Sequence, residues 1–223
     1  NLEQISEISN IIDVECFCHG AMCVSISGRC FTSQFLFNKS ANRGECLHPC
    51  RRSYTIKDTQ SGYELELDND KVMSAKDLCT LPFIEEMKKA GVKSFKIEGR
   101  NREERYVDVV VRVYRKALDK ELTKEEIKQG IEELKKVYNK GFSSGFYLGT
   151  PTNDDYSKSE NSSGTESKEF IGKILHYYPK PGVGLLKLNT GKLKIGDDIL
   201  ILGKTTGVVK VSVVSMEIEH KKI

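Results

Sequence analysis

Six of the seven cysteines crowd into one stretch, at positions 16, 18, 23, 30, 46 and 50, and the seventh is Cys79. Cys23, Cys30, Cys46 and Cys50 form the pattern C-x6-C-x15-C-x3-C, and small or turn-forming residues precede the thiols. An odd cysteine count with no basic and apolar leader disfavours a disulfide framework and points to metal binding or redox chemistry. Four soft sulfur donors suit tetrahedral zinc or an iron–sulfur cluster. Zinc sites usually show two short knuckles, and here only the second pair is short. The spacing leans toward iron–sulfur and leaves zinc open. The radical-enzyme pattern C-x3-C-x2-C is absent, because Arg51, Arg52 and Ser53 follow Cys50. Cys16, Cys18 and Cys79 are left over and read as small buried hydrophobes.

Few other nucleophile motifs compete. There is no His-Glu-x-x-His zinc motif, and the Gly-x-Ser-x-Gly match at Gly141-Phe-Ser143-Ser-Gly145 follows a helical pattern and leads into Phe-Tyr-Leu-Gly-Thr-Pro. A nucleophile elbow needs a strand before it and a helix after it, so this match reads as chance.

The elements that must hold the cysteines follow from periodicity. Residues 1–10 carry Leu2, Ile5 and Ile8 at helical spacing, and 11–17 reads as a short buried strand that ends in a loop at Cys18-His19-Gly20. Strands are expected at 54–56 and 63–67 around the Gln60-Ser61-Gly62 turn. Ser74-Ala-Lys-Asp77 has the form of a capping box, predicting a helix through Pro82 to Ala90 with a stop at Gly91. Val92–Ile97 reads as a strand running into Glu98-Gly99-Arg100. A helix over 103–119 puts Tyr106, Val109, Val110, Val113, Tyr114 and Ala117 on one stripe, and Thr123-x-x-Glu126 caps a second with Ile127, Ile131, Leu134 and Tyr138. Alternating strands and helices with short connections predict α/β architecture with a parallel sheet. Residues 150–169, with Pro151, Gly164 and five serines, read as a Ser-rich linker. Beyond it, β-branched runs divided by Pro181-Gly182, Gly191 and Gly203 predict a small antiparallel barrel over 170–223, resembling the second domain of translation elongation factors.

The bulk composition narrows the function classes. The chain has 223 residues, 38% hydrophobic and 30% charged, with mean hydropathy -0.42, which suits a globular protein of one or two domains. No apolar run approaches the ~20 residues of a membrane span. Net charge is only +3, but the ten Lys and Arg against five acids over 86–116, and nine Lys against four acids from Phe170 onward, place two basic regions along the chain. They read as solvated faces or as the footprint of a polyanionic partner.

Several blocks carry a family resemblance: Glu15-Cys-Phe-Cys-His-Gly-Ala-Met-Cys23, Ser-Gly-Arg-Cys30, Asn-Arg-Gly-Glu-Cys46-Leu-His-Pro-Cys50-Arg, Ser74-Ala-Lys-Asp-Leu, Ser94-Phe-Lys-Ile-Glu-Gly-Arg100, Val113-Tyr-Arg-Lys-Ala-Leu118 and Gly145-Phe-Tyr-Leu-Gly149. In this order they resemble the collagenase-like peptidase U family, the thirty-second of the unclassified peptidase families. The branch they resemble most makes 5-hydroxyuridine at the tRNA wobble position with prephenate and an iron–sulfur cluster. The resemblance implies a 4Fe-4S cluster on Cys23, Cys30, Cys46 and Cys50, prephenate as co-substrate, tRNA and a homologous protein subunit as partners, and a cytoplasmic location, so neither Asn38-Lys-Ser40 nor Asn161-Ser-Ser163 reads as a glycosylation site. It also implies that residues 1–149 are the later half of a (β/α) TIM-like barrel, and that the chain is a fragment whose C-terminal barrel stops short of closure at Ile223.

In such a barrel chemistry sits at the C-terminal ends of the strands. Glu15, His19, Glu98 and Arg100 are therefore the candidate catalytic residues. Glu98 or Glu15 would handle a proton or orient the base, Arg100 would meet a carboxylate or phosphate, and His19 would serve as acid or base or line the cluster. Glu98 with Arg100 can equally be a structural ion pair. Arg51 and Arg52 are candidate RNA-phosphate contacts or an exposed basic turn. Protein hydrolysis, as the family name suggests, and a non-enzymatic metal-bearing RNA-binding or scaffold subunit are the rival functions.

Overall fold

The computed structural model describes residues 1–25, 30–55, 57–62, 73–100, 102–159, 162–203, 205–219 and 221–222. Helix α1 (Leu2–Ser9) opens with a capping box on Asn1, and its apolar side packs on the core through Leu2 and Ile5. Strand β1 (Val14–Gly20) continues through Cys18, His19 and Gly20, so the expected loop there is strand. Those last three residues are all buried, and pairing on both sides keeps them extended.

The cysteine segment holds helix α2 (Thr32–Phe37) and 3-10 turns at Ala41–Arg43 and Pro49–Arg51. The expected strand at 63–67 and the Ile56 end of its partner lie outside the described residues, and Tyr54 and Thr55 are not in a strand. The predicted helix from Ser74 is replaced by strand β2 (Asp77–Cys79), a 3-10 turn at Leu81–Phe83 and helix α3 (Ile84–Lys89). Pairing with β1 on one side overrides the local capping signal, and the Ser74 hydroxyl faces Arg51 rather than a helix N-terminus. Pro82, which lacks an amide proton, falls in the 3-10 turn.

Strand β3 (Val92–Ile97) pairs parallel with β1, as a strand, helix, strand unit requires. Helices α4 (Glu104–Asp119) and α5 (Lys124–Lys135) follow, and all six residues of the expected α4 stripe are buried. Thr123 and Glu126 form the expected capping box. Strand β4 (Phe142–Ser143) completes a four-stranded sheet of order β3-β1-β2-β4.

This sheet is mixed and open. β1 and β2 are antiparallel, while β2 and β4 are parallel. An all-parallel half barrel would need a crossover between β1 and β2. Instead the 21–76 connection returns to the end where β1 stops, and β2 runs back beside it. The core lies between this sheet and the helices, around Cys18, Leu81, Met87, Tyr106, Val110, Tyr114 and Leu134.

The described residues of 150–169 pack back on the segments before them: Ser157 donates its backbone N–H to Ser74 O at 2.8 Å, Ser163 to Asn139 O at 2.7 Å and Thr165 to Lys135 O at 2.9 Å. Ion pairs join Arg105 to Glu166 and Glu103 to Lys168. Beyond them come three separate two-stranded antiparallel units, β5 (Gly172–Tyr178) with β6 (Val183–Leu188), β7 (Asp198–Gly203) with β8 (Gly207–Ser212), and β9 (Glu217–Ile218) with β10 (Lys221–Lys222). No closed barrel forms among the described residues. Past residue 170 only Val213 is buried among them, so the hairpins lack the shared apolar centre that closure would create.

Candidate functional site

β1 and β3 end together, and the contact there is tight. Gly20 has φ +120° and lies so near β3 that a Cβ would stand 2.6 Å from Glu98 O. Only glycine fits this left-handed position and close approach. The Glu98 backbone N–H donates to His19 O at 2.8 Å, extending the ladder one residue past Ile97. Its half-buried carboxylate accepts from Arg100 N–H at 2.8 Å.

One turn later Arg102 folds back over this end. Its guanidinium stacks 4.0 Å from the Tyr138 ring centroid and 5.5 Å from that of Tyr106, and stands 4.0 Å from Asp77 Oδ2. Asp77, at the start of β2, is 1% exposed, and neither carboxylate oxygen has a hydrogen-bond partner among the described residues. Burial pushes its pKa up, against the opposing pull of Arg102, Arg51 and Lys140. Because β2 runs antiparallel to β1, its first residues share an edge with the last residues of β1 and β3.

The cysteine segment is fastened to the same edge by Arg51. Its guanidinium donates to Ala75 O at 2.9 Å, Met22 O at 3.0 Å and Ser74 Oγ at 3.4 Å. His48 takes a left-handed backbone, φ 51°, immediately before the Pro49 turn. Burial lowers its pKa first, then the charges of Arg51 and Arg102, while Glu98 opposes them. His48 thus lies in the fields of Arg102 and Glu98 as well as that of its neighbour Arg51.

The four cysteines converge without closing. Cys50 is raised in pKa first by burial, with Arg51 opposing and Cys23, Cys46 and Cys30 adding to the rise, so all four thiols share one region. Among the described residues no three His, Cys, Asp or Glu side chains stand close enough to hold a metal ion. Four thiols are a soft donor set that suits zinc or an iron–sulfur cluster alike. His48 N–H points at Cys46 Sγ at 3.4 Å, Ser25 N–H at Cys23 Sγ at 3.4 Å and Ser33 Oγ at Cys46 Sγ at 3.9 Å, while hydrogen bonding to Thr32 lowers the pKa of Cys30. Donors aimed at sulfur stabilise thiolates and the clusters they bind.

The remaining candidates separate. Glu15 and His19 lie within β1 rather than after it. Glu15 is near the start of that strand, roughly 16 Å of extended chain from Gly20. Its exposed carboxylate accepts from Ser94 Oγ at 2.9 Å and stands 3.6 Å from Lys96. His19 is 2% exposed among the rings of Tyr106, Tyr114 and Phe142, with Nδ1 3.3 Å from Tyr114 Oη. Burial first, then Arg102, pulls its pKa down to about 3, which keeps it neutral at physiological pH. Arg100 is exposed, and Arg52 lies 4.7 Å over the Phe37 ring. Cys18 and Cys79 are buried in the core, where burial pushes Cys18 up to about 12. Ser143 sits in β4, where its hydroxyl accepts from Gly145 N–H at 3.2 Å, and no α-helix follows it among the described residues.

The structure therefore gathers Glu98 and the four cysteines with Asp77, Arg102 and His48, which carried no assigned role in the sequence. Asp77 was hidden in an apparent cap, and Arg102 in a run of helix charges. His48 stood in plain view in the Leu-His-Pro-Cys block.

Comparison with known proteins puts a family beside this geometry. A model described as Peptidase family U32 matches residues 1–157. A collagenase of Porphyromonas gingivalis is 42% identical over 202 residues, covering 89% of this chain and 49% of the relative. An uncharacterized protease of Methanocaldococcus jannaschii is 40% identical over 236 residues, covering 100% of the chain and 58% of the relative. A tRNA hydroxylation protein of Bacillus subtilis is 36% identical over 174 residues, covering 74% and 41%. The chain spans about half the length of these curated relatives. No solved structure matches it.

Proposed function

The chain belongs to peptidase family U32, and from that membership we propose that it is part of an RNA-modifying enzyme that hydroxylates the wobble uridine of tRNA, with a 4Fe-4S cluster on Cys23, Cys30, Cys46 and Cys50 and prephenate as co-substrate. The observation that carries this reading is the Arg51 clamp, which fastens a four-cysteine segment with donors aimed at its sulfurs to the edge where Glu98 emerges. A relative named for tRNA hydroxylation supports it. A cluster bound there supplies electron transfer or Lewis acidity. Glu98 is the half-buried carboxylate that holds or moves a proton. Arg102, rigid between two tyrosine rings, pairs with an anionic group of the substrate, a role its planar fork suits. His19, neutral and buried, orients the strand ends through Tyr114 rather than exchanging protons.

Protein hydrolysis is the second reading, favoured by the relatives named collagenase and protease. The serine of the Gly-x-Ser-x-Gly match, Ser143, gives it no support, since its hydroxyl is engaged with its own turn.

The test uses the full-length protein purified without oxygen. Iron and acid-labile sulfide are expected in near-equal amounts, and both are lost when any of the four cysteines becomes Ala. A strain carrying Glu98→Gln should lose 5-hydroxyuridine from its tRNA while the purified variant keeps its iron. Zinc in place of iron, or hydroxylation that survives loss of the cysteines, refutes the reading. Peptide cleavage by the pure protein, abolished with the same residues, would install the second.

A further inference from the structure

A cavity of about 440 Å³ opens where β2 and β4 begin, and its lining includes Lys76, Lys140, Gly141, Asp154, Lys158 and Ser159. We propose that this cavity seats a backbone phosphate of the RNA next to the nucleotide held at the cysteine segment, an assignment that rests on the RNA reading above.

The walls are built rather than incidental. Lys76 donates its backbone N–H to Asp155 O at 2.8 Å, and Asp77 donates to Gly141 O at 3.0 Å, which fixes the two strand starts and the 153–159 segment around one opening. Gly141 has φ +77°, and the stem of Lys76 lies across it, 3.4 Å from where a Cβ would be. Lys140 is 3% exposed, and its ammonium donates to Ser159 O at 2.9 Å, drawing that backbone in as a wall. The Ser159 and Ser163 hydroxyls meet at 2.6 Å on the rim.

Charge then selects the ligand. Among the described residues the lining carries three lysines and one carboxylate, Asp154. Lys76 and Lys158 are in no ion pair among the described residues. A concave, net-positive site with hydroxyl donors suits a phosphate oxyanion. Its place in the fold favours a polymer over a free anion. Arg51, directly after Cys50, donates to Ala75 O, and Lys76 is the next residue. The cavity and the cysteine segment therefore adjoin along one edge, as successive nucleotides of a strand would need.

The test compares three full-length proteins binding a labelled anticodon stem-loop RNA over a salt series: wild type, a double variant with Lys76→Gln and Lys158→Gln, and a control with Lys124→Gln and Lys128→Gln, an equal charge change on the exposed face of α5. In the cavity variant, the slope of log affinity against log salt is expected to fall by about one, with affinity several-fold weaker. The control should match wild type. Equal behaviour of the two variants overturns the proposal and leaves the RNA reading standing. Competition of RNA by inorganic phosphate at constant ionic strength, with the cavity variant still binding RNA like wild type, assigns the cavity to a free anion and also overturns it. A wild-type protein that binds no RNA removes both. If the double variant is misfolded by its urea midpoint, Lys158→Glu alone, at an exposed position, takes its place with the same expected direction.

Discussion

The hydroxyl of Tyr114 joins three chain segments behind the site, and removing it makes a quantitative test of the structure. Tyr114 is 2% exposed on α4. Its Oη donates to Cys18 O at 2.9 Å, accepts the Thr80 N–H at 3.0 Å and lies 3.3 Å from His19 Nδ1. With its one proton assigned to Cys18 O, the nearest acceptor, the phenol oxygen accepts from His19, which assigns the imidazole proton to Nδ1. In Tyr114→Phe almost no volume is lost, so the cavity contribution is small. The Thr80 N–H retains a contact of 3.1 Å with Cys18 O, whereas the His19 Nδ1–H loses its partner. One net hydrogen bond at about 1 kcal/mol, together with one buried donor left unpaired at about 1–2 kcal/mol, gives a loss of about 2–3 kcal/mol. With a urea m-value of about 2 kcal/mol/M, the unfolding midpoint falls by about 1–1.5 M with the slope unchanged. A loss below about 0.5 kcal/mol would mean that the hydroxyl does not hold the strand ends together, and the role given to His19 would fall with it.

Two further outcomes follow from the same region. The folded-state pKa of His19 lies near 3, below its ordinary 6.5, so the unfolded chain takes up the proton first. Its contribution to stability is complete above about pH 6.5 and is lost as pH falls toward 3, at no more than about 1.4 kcal/mol per pH unit. Urea midpoints between pH 7 and 4 should show this slope in wild type and lack it in His19→Gln; identical slopes would contradict the burial. Gly20→Ala would force a Cβ to 2.6 Å from Glu98 O at a φ of +120°. It should cost more than about 3 kcal/mol and displace Glu98. A variant that unfolds at the wild-type urea midpoint would show that the two strand ends are less close than described.

The helices α1, α4 and α5 were legible from the sequence because their signals are local. The Thr123 cap needs only a residue three positions away, and the Leu2, Ile5 and Ile8 spacing of α1 and the α4 stripe from Tyr106 to Ala117 repeat at the helical period. The cysteine spacing likewise marked four soft donors along the chain. β2 was misread as helix because three residues are too few to show a period, and what makes them a strand is β1 and β4 on either side. The small barrel expected after residue 170 was already expected to stop short of closure at Ile223; closure depends on strands finding one another across the chain, and among the described residues the strands pair only within three separate two-stranded units.

The site divides in the same way. Residue types fixed what chemistry was available: four thiols, a carboxylate after a buried strand and a surplus of cations. The antiparallel return of β2 decided which of them meet, by carrying Asp77 and Lys76 to the edge where Glu98 and the Arg51 clamp lie and leaving Glu15 near the start of β1. Burial decided that His19 is neutral. Strand direction and desolvation belong to the folded chain as a whole, and neighbours along the sequence carry no record of them.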